Sequence, residues 1–217
     1  MGFSAISRRL KGSGAHIRSA PPVGHWGMPL PPALKAPLSQ YLALLDRWNR
    51  THALTSLPPG VRREELLEDA ASLLPFLESL APGQRVVDLG TGMGCPAIVL
   101  ALARPDLEVV GVDAASKKMA FLRQVALELR LPNLRALHGR FEALPPLEGD
   151  LGVAKALAPL PQLVAWWQRH GRPGAPFLAL KGPGWVDEPL PEGWSCTPHP
   201  YRLPTRGERV VLELRPK

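Results

Sequence analysis

Leu34, Leu38, Tyr41, Leu42, Leu45 and Trp48 recur at helical spacing and predict a helix that ends near Asn49. Pro58-Pro59-Gly60 breaks the pattern. Residues 62–80 read as a second helix, with Leu66, Leu67, Leu73, Leu74 and Leu77 available for one face, and Pro82-Gly83 ends it. Short apolar runs then alternate with helical patterns. Strands are expected at 85–89, 108–112, 134–138, 151–154 and 176–180, with helices at 96–103, 116–130 and 161–169 between them. A short turn through Glu142 follows the third strand. Two further strands, 195–202 and 209–214, are joined by a turn at Thr205-Arg206-Gly207. Interleaved strands and helices imply a parallel sheet, whereas a pair joined by so short a turn has to be antiparallel. The expected fold is α/β: a mostly parallel, seven-stranded, doubly wound sheet with a C-terminal antiparallel hairpin and N-terminal helices.

Composition sharpens this picture. The chain has 217 residues, 45% hydrophobic and 21% charged, which suits one α/β domain with an appendage. No apolar run approaches the roughly 20 residues of a membrane helix, so no membrane partner is expected. The net charge is +7, and residues 1–35 hold Arg8, Arg9, Lys11, Arg18 and Lys35 without any acid. Residues 1–33, rich in Gly, Pro and Ser, read as a flexible basic arm, and 34–217 as the domain, with a helical cap at 34–80 and a core at 84–217. Such an arm suits nucleic-acid phosphates or a merely solvated tail. It also weakly imitates a mitochondrial transit peptide, and Met28 offers an alternative start. No apolar segment follows the early charges as a secretory signal needs, and Ile6 breaks the myristoylation pattern. Cys95 and Cys196 form neither a C-x-x-C pair nor a metal-ligand spacing with the histidines. No metal is expected, and a reducing cytoplasm is.

The chemistry gathers after the first three strands. Val86-Val87-Asp88-Leu89-Gly90-Thr91-Gly92-Met93-Gly94 lies between a strand and a helix. Its D-x-G-x-G-x-G spacing differs from the G-x-G-x-x-G that receives a dinucleotide pyrophosphate. A carboxylate ahead of the glycines suits a ligand bearing an ammonium, and Asp88 is the candidate to hold it. Asp113 ends the next strand, where a carboxylate accepts both ribose hydroxyls or else caps the helix starting near Ser116. Gly139-Arg140-Phe141-Glu142 follows the third strand, as a bracket for an adenine ring or as a plain turn. Together the three point to S-adenosylmethionine, with Asp88, Gly90, Thr91, Gly92, Gly94, Asp113, Ala114, Phe141, Glu142 and Lys155 as the cofactor set and a Rossmann-like class I methyltransferase fold.

These residues resemble the RsmG (GidB) family, bacterial methyltransferases of N7 of a guanine in small-subunit ribosomal RNA. Trp48-Asn49-Arg50 and Leu54-Thr55-Ser56 resemble its W-N-K/R and N-L-T-S, and Asp88–Pro96 its D-x-G-T-G-x-G-F-P. Asp113–Arg123 resembles its V-D-S/A-x-x-K-R/K-x-x-F-L-R, Leu180-Lys181-Gly182 its L-K-G, and Gly207-Glu208-Arg209 its G-E-R-H. There are departures. The family's H-x-x-D-S stands here as Leu66 and Asp69-Ala70, its S-R-A as Ala154-Lys155-Ala156, and Cys95 and Ala53 replace Phe and Asn. Lysine does not reproduce the planar, bidentate contact of arginine.

The resemblance implies methyl transfer to N7 of a guanine in 16S ribosomal RNA, with the small subunit as partner and the chain acting as a monomer. N7 carries a lone pair and no proton, so the reaction needs alignment more than a strong base. An exocyclic-amine enzyme would show a D/N-P-P-Y/F/W tetrad where this chain has Ala154-Lys155-Ala156-Leu157. Neither cysteine stands where a carbon-5 pyrimidine enzyme needs its nucleophile. Lys155 and Lys181, after the fourth and fifth strands, are the expected catalytic side chains. Lys117, Lys118, Arg123 and Arg209 are expected to bind RNA, the first three alternatively forming a solvated face. Trp166-Trp167 and Trp48 read as packing residues rather than base platforms. A methyltransferase of the same fold acting on a small molecule or protein, and a silent cofactor- or RNA-binding protein, remain as alternatives.

Overall fold

The computed structural model describes residues 30–217. The basic residues at positions 8–18, the alternative start at Met28 and most of the expected arm lie outside the described residues. Within them the packed body begins ahead of residue 34. Leu30 and Leu34 are buried, with a 3-10 turn at Pro32–Leu34 between them. Helix α1, Lys35–His52, runs three residues beyond its expected end and buries Leu38, Tyr41, Leu44 and Leu45 along one face. Ala53 in the left-handed region stops it.

The expected second helix is not one helix. Pro59–Arg62 is α-helical, Arg63–Glu68 widens into a π-helix, Asp69–Ala71 returns to α, and Leu74–Leu77 is a 3-10 turn. Glu64, Glu65 and Asp69, within and next to the π-helix, all make contacts with distant parts of the chain. A π-turn shifts the helix register by one residue.

The remaining elements follow the expected order. They are β1 Arg85–Leu89, α2 Ala97–Ala103, β2 Glu108–Asp113, α3 Ser116–Glu128, β3 Leu134–His138, β4 Leu151–Lys155, α4 Leu160–His170, β5 Phe177–Lys181, β6 Trp194–Leu203 and β7 Gly207–Pro216. The seven strands lie in the order β3-β2-β1-β4-β5-β7-β6. β1 to β5 are parallel, while β7 runs antiparallel to both β5 and β6. Apart from Asp88 and the residues at their ends, the central strands are apolar because helices cover both faces. The order reverses at β1, so the crevice beyond the carboxyl ends of β1 and β4 is where a ligand is expected.

Antiparallel β7 starts at that same edge, with Val210 opposite Lys181 and Tyr201 opposite Arg209. The β6–β7 turn therefore closes over the ligand edge. Among the described residues no helix is long and apolar enough to cross a membrane, and no group of three or more His, Cys, Asp or Glu residues is placed to hold a metal ion.

Candidate functional site

The loop between β1 and α2 is shaped by backbone hydrogen bonds. The Gly90 and Thr91 N–H groups both donate to Val112 O, at 2.9 and 3.0 Å, and the Gly94 N–H to Thr91 O at 2.9 Å. Gly90, Gly92 and Gly94 all have positive φ, up to 101° at Gly94. A Cβ at Gly94 would stand 2.5 Å from Ile98 Cδ1 and 2.7 Å from Leu122 Cδ1, so conformation and space both require glycine. At Gly92 a Cβ would find only Gly90 O, 3.9 Å away. That side of the loop is open.

Asp113 ties the second loop to the first. Its Oδ2 accepts from the Gly92 N–H at 3.0 Å and its Oδ1 from the Ala115 N–H at 2.8 Å. The second contact closes a turn just ahead of α3, whose N-cap residue Ala115 receives no side-chain cap. Being half-buried, with lone pairs to spare on both oxygens, Asp113 can also accept ribose hydroxyls. Exposed Ala114 follows, and its carbonyl meets His138 Nε2 at 3.0 Å.

Asp88 departs from expectation. It has no exposed surface, and its Oδ2 accepts from the Ala97 N–H at 3.1 Å, pinning the start of α2. A direct grip on a ligand ammonium is not open to a carboxyl lying beneath its own loop, so its influence on a ligand passes through the loop's shape. Burial pushes Asp88 up to about 7, against the pull of the Thr91 hydroxyl, the Ala97 N–H and the Lys155 charge. Asp88 Oδ1 and Thr91 Oγ1 are buried without a hydrogen-bond partner, Thr91 standing near without closing the bond. These unpaired atoms lie under the loop, whereas the face at Gly92 is open.

The third loop carries Phe141 and Glu142. Phe141 is buried with its ring 4.8 Å from that of Trp166, and the Trp166 indole N–H donates to Glu142 Oε1 at 2.7 Å. Half-buried Trp166 and fully buried Trp167 are both packing residues, as the sequence led one to expect.

The acceptor side is built differently. Lys155, at the end of β4, forms an ion pair with Asp69 Oδ2 at 3.0 Å and donates to the Glu65 carbonyl. The other Asp69 oxygen accepts from the Tyr201 hydroxyl. Glu64 accepts from the Thr205 N–H, the Thr205 hydroxyl and the Arg206 N–H, while Arg206 also pairs with Glu65. The broken helix is thereby fastened to β4 and to the β6–β7 turn. Lys181 donates to Ala158 O at 2.6 Å and to both Glu188 oxygens at 2.8 and 3.0 Å, and Glu188 in turn accepts from the Leu160 N–H. Lys181 was expected to be catalytic, and here the structure holds it in internal contacts. With three contacts and a side chain only 10% exposed, it buttresses the start of α4. Lys155 keeps slightly more freedom and sits nearer β1, beside Ala156 in the left-handed region.

Lys117 is exposed, Lys118 half-buried and Arg123 exposed on α3, and none of the three is held by an ion pair among the described residues. Arg209 is half-buried, and its Nη1 donates to Glu208 O at 3.2 Å, leaving less of it for a phosphate than expected. Burial pushes both Cys95 and Cys196 up to about 12, so neither is a thiolate near neutral pH. The Trp48-Asn49…Leu54-Thr55 motif is explained by packing. The Asn49 amide donates to Thr55 O at 3.0 Å and accepts from the Thr55 N–H at 2.8 Å, closing the turn after α1. Sequence reasoning missed Glu64, Glu65 and Tyr201, and only the D-S position of the resembled motif drew notice to Asp69.

Known proteins align with this arrangement. The solved structure of TrmN from Thermus thermophilus superposes with a TM-score of 0.56 at 22% identity, covering 76% of this chain and 55% of that one. A SAM dependent methyltransferase from Aquifex aeolicus gives 0.52 at 18%, covering 70% and 92%. These likenesses establish the class I methyltransferase fold. The chain spans only about half the length of the first structure.

Ribosomal RNA small subunit methyltransferase G of Bordetella avium (strain 197N) is 38% identical over 186 residues, covering 82% of this chain and 83% of that protein. The protein of the same name from Xanthomonas axonopodis pv. citri (strain 306) is 40% identical over 190 residues, covering 84% and 87%. Residues 34–198 match the family described as rRNA small subunit methyltransferase G. A match that takes in the glycine loop, the Asp113 loop and the helix ahead of the sheet leaves one conclusion: the chain belongs to the rRNA small subunit methyltransferase G family.

Proposed function

We propose that the chain transfers a methyl group from S-adenosylmethionine to N7 of a guanine in small-subunit ribosomal RNA, acting as a monomer. Support comes above all from the Asp113 side chain bridging the Gly92 and Ala115 N–H groups at the carboxyl ends of β1 and β2. That bridge holds two ligand loops in one fixed relation before any ligand arrives, which lowers the entropic cost of binding. When bound, S-adenosylmethionine supplies a methyl carbon already activated by a sulfonium.

The chain's own residues then bind and align. Gly90, Thr91, Gly92 and Gly94 give the backbone close approach, Asp113 and Ala114 receive the ribose, and Phe141 and Glu142 flank the adenine. Asp88 supports the loop from below. No residue has to remove a proton, because N7 has none. The internal contacts of Lys155 and Lys181 and the protonated thiols of Cys95 and Cys196 are consistent with this. Lys155 is the cation nearest the β4 end and orients the guanine edge or its phosphate. Lys117, Lys118 and Arg123 meet the RNA backbone by charge.

Incubation of unmodified small subunits with the protein and labelled cofactor, followed by cleavage mapping of 7-methylguanosine, tests the reading; absence of the mark with a folded, cofactor-bound protein refutes it. Asp113→Ala is expected to weaken cofactor binding about 10- to 100-fold, the value of a charged hydrogen bond, and calorimetry reads it.

A further inference from the structure

The loop between β3 and β4 has little regular structure, yet it carries Phe141 and Glu142. Helix α4 grips it at several points. Trp166, Arg169 and His170 stand at i, i+3 and i+4 and so share one helix face. The Trp166 N–H holds Glu142 Oε1 at 2.7 Å while its ring lies against Phe141 at 4.8 Å. Arg169 donates to Leu144 O from Nε at 3.2 Å and from Nη2 at 3.0 Å. His170 is fully buried, and its Nε2–H donates to Phe141 O at 2.8 Å, an acceptor that fixes the tautomer. Burial lowers its pKa, against the pull of the Phe141 and Pro145 carbonyls. The other end of the loop is tied to the ribose loop, with the Gly139 N–H on Asp113 O at 3.1 Å.

Trp166 and His170 each hold one of the two residues of this loop expected beside the adenine. We propose that Trp166 and His170 are positioning residues that keep Phe141 and Glu142 in place for the adenine of the cofactor, and thereby set the preference for an adenine base. This rests on the reading that Phe141 and Glu142 flank that ring. The physical reason is preorganisation: a loop already ordered by α4 pays no ordering entropy on binding, and a carboxylate with one oxygen fixed by the indole presents the other in one direction.

The test uses the full chain and calorimetric affinities for S-adenosylhomocysteine and for S-inosylhomocysteine, in which a carbonyl replaces the 6-amino group. Trp166→Phe retains a ring against Phe141 and removes the N–H. It should weaken S-adenosylhomocysteine about 3- to 10-fold, the loss of one hydrogen bond. It should also narrow the preference over the inosine analogue and raise the cofactor KM more than it lowers kcat. His170→Gln, which keeps a donor, should bind better than His170→Leu. If His170→Leu fails to fold, half-buried Trp166 still carries the test.

Wild-type affinity and preference in Trp166→Phe, alongside weakened binding in Phe141→Ala or Glu142→Gln, overturns the inference. So does an equal loss for both ligands that tracks a fall in Tm. Unchanged binding in Phe141→Ala and Glu142→Gln themselves instead removes the adenine reading beneath it.

Discussion

At the carboxyl edge of the sheet, two neighbouring walls are made from different materials. The cofactor wall, after β1 and β2, consists of backbone N–H groups, three left-handed glycines and one carboxylate shared between loops. It leaves two buried polar atoms without partners. The acceptor wall, around β4, β5 and the β6–β7 turn, consists of long charged side chains, and each has found an opposite charge or a carbonyl. A backbone wall is rigid at no side-chain entropy cost and is complete before binding. A side-chain wall holds long, flexible groups in place through their mutual pairs, and ordering such groups costs side-chain entropy.

The comparison breaks most easily at the junction of the acceptor wall. Asp69→Ala leaves Lys155 and the Tyr201 hydroxyl without their shared carboxylate, and a buried pair broken on one side costs about 3–5 kcal/mol. Urea unfolding should reveal a loss of that order, with cofactor affinity in the surviving folded protein little changed. Gly94→Val attacks the other wall. A side chain forced against Ile98 and Leu122 at a φ of 101° should cost about 2–4 kcal/mol from overpacking and strain. Here cofactor binding should fall with stability, and retention of full affinity would show that the loop does not need this shape.

A pH titration sharpens the contrast. Asp88 is raised by burial from the ordinary carboxyl range to about 7, so the folded chain holds this proton more tightly than the unfolded one. The resulting stability is complete below the unfolded carboxyl pKa and is lost as pH rises through about 7. Asp88→Asn should flatten that decline, worth on the order of 4 kcal/mol. An unfolding free energy of the wild type that does not fall between pH 5 and 8 contradicts the burial argument. The smallest effect belongs to the free cations. Lys117→Ala and Arg123→Ala should change stability by less than about 0.5 kcal/mol, while each lowers the salt dependence of RNA binding by about one unit of slope.

Much of the fold was legible because its signals are local. β1 and β3 lie where the apolar runs put them, and the hairpin was recognisable from the short turn between its strands. The glycine loop was legible for the same reason, since a positive-φ turn leaves its mark in consecutive residues. The second helix was misread because a leucine face cannot tell an α-helix from one interrupted by a π-turn. The contacts of Lys181 were not legible because position at a strand end does not reveal that Glu188, seven residues on, already holds it.

By itself, then, the sequence determined the alternation of strands and helices, the turn chemistry of the cofactor loop and the carboxylates near the carboxyl ends of β1 and β2. All of these depend on neighbours within a few residues. Only the tertiary structure decided that Asp88 is buried beneath its loop while Asp113 bridges two. It alone brought Asp69 to Tyr201 across 132 positions and Glu64 to Thr205 across 141. The reason is physical: an ion pair or a hydrogen bond depends on distance in space, and between residues so far apart along the chain that distance is set by the sheet order and the crossing of the β6–β7 turn over its edge.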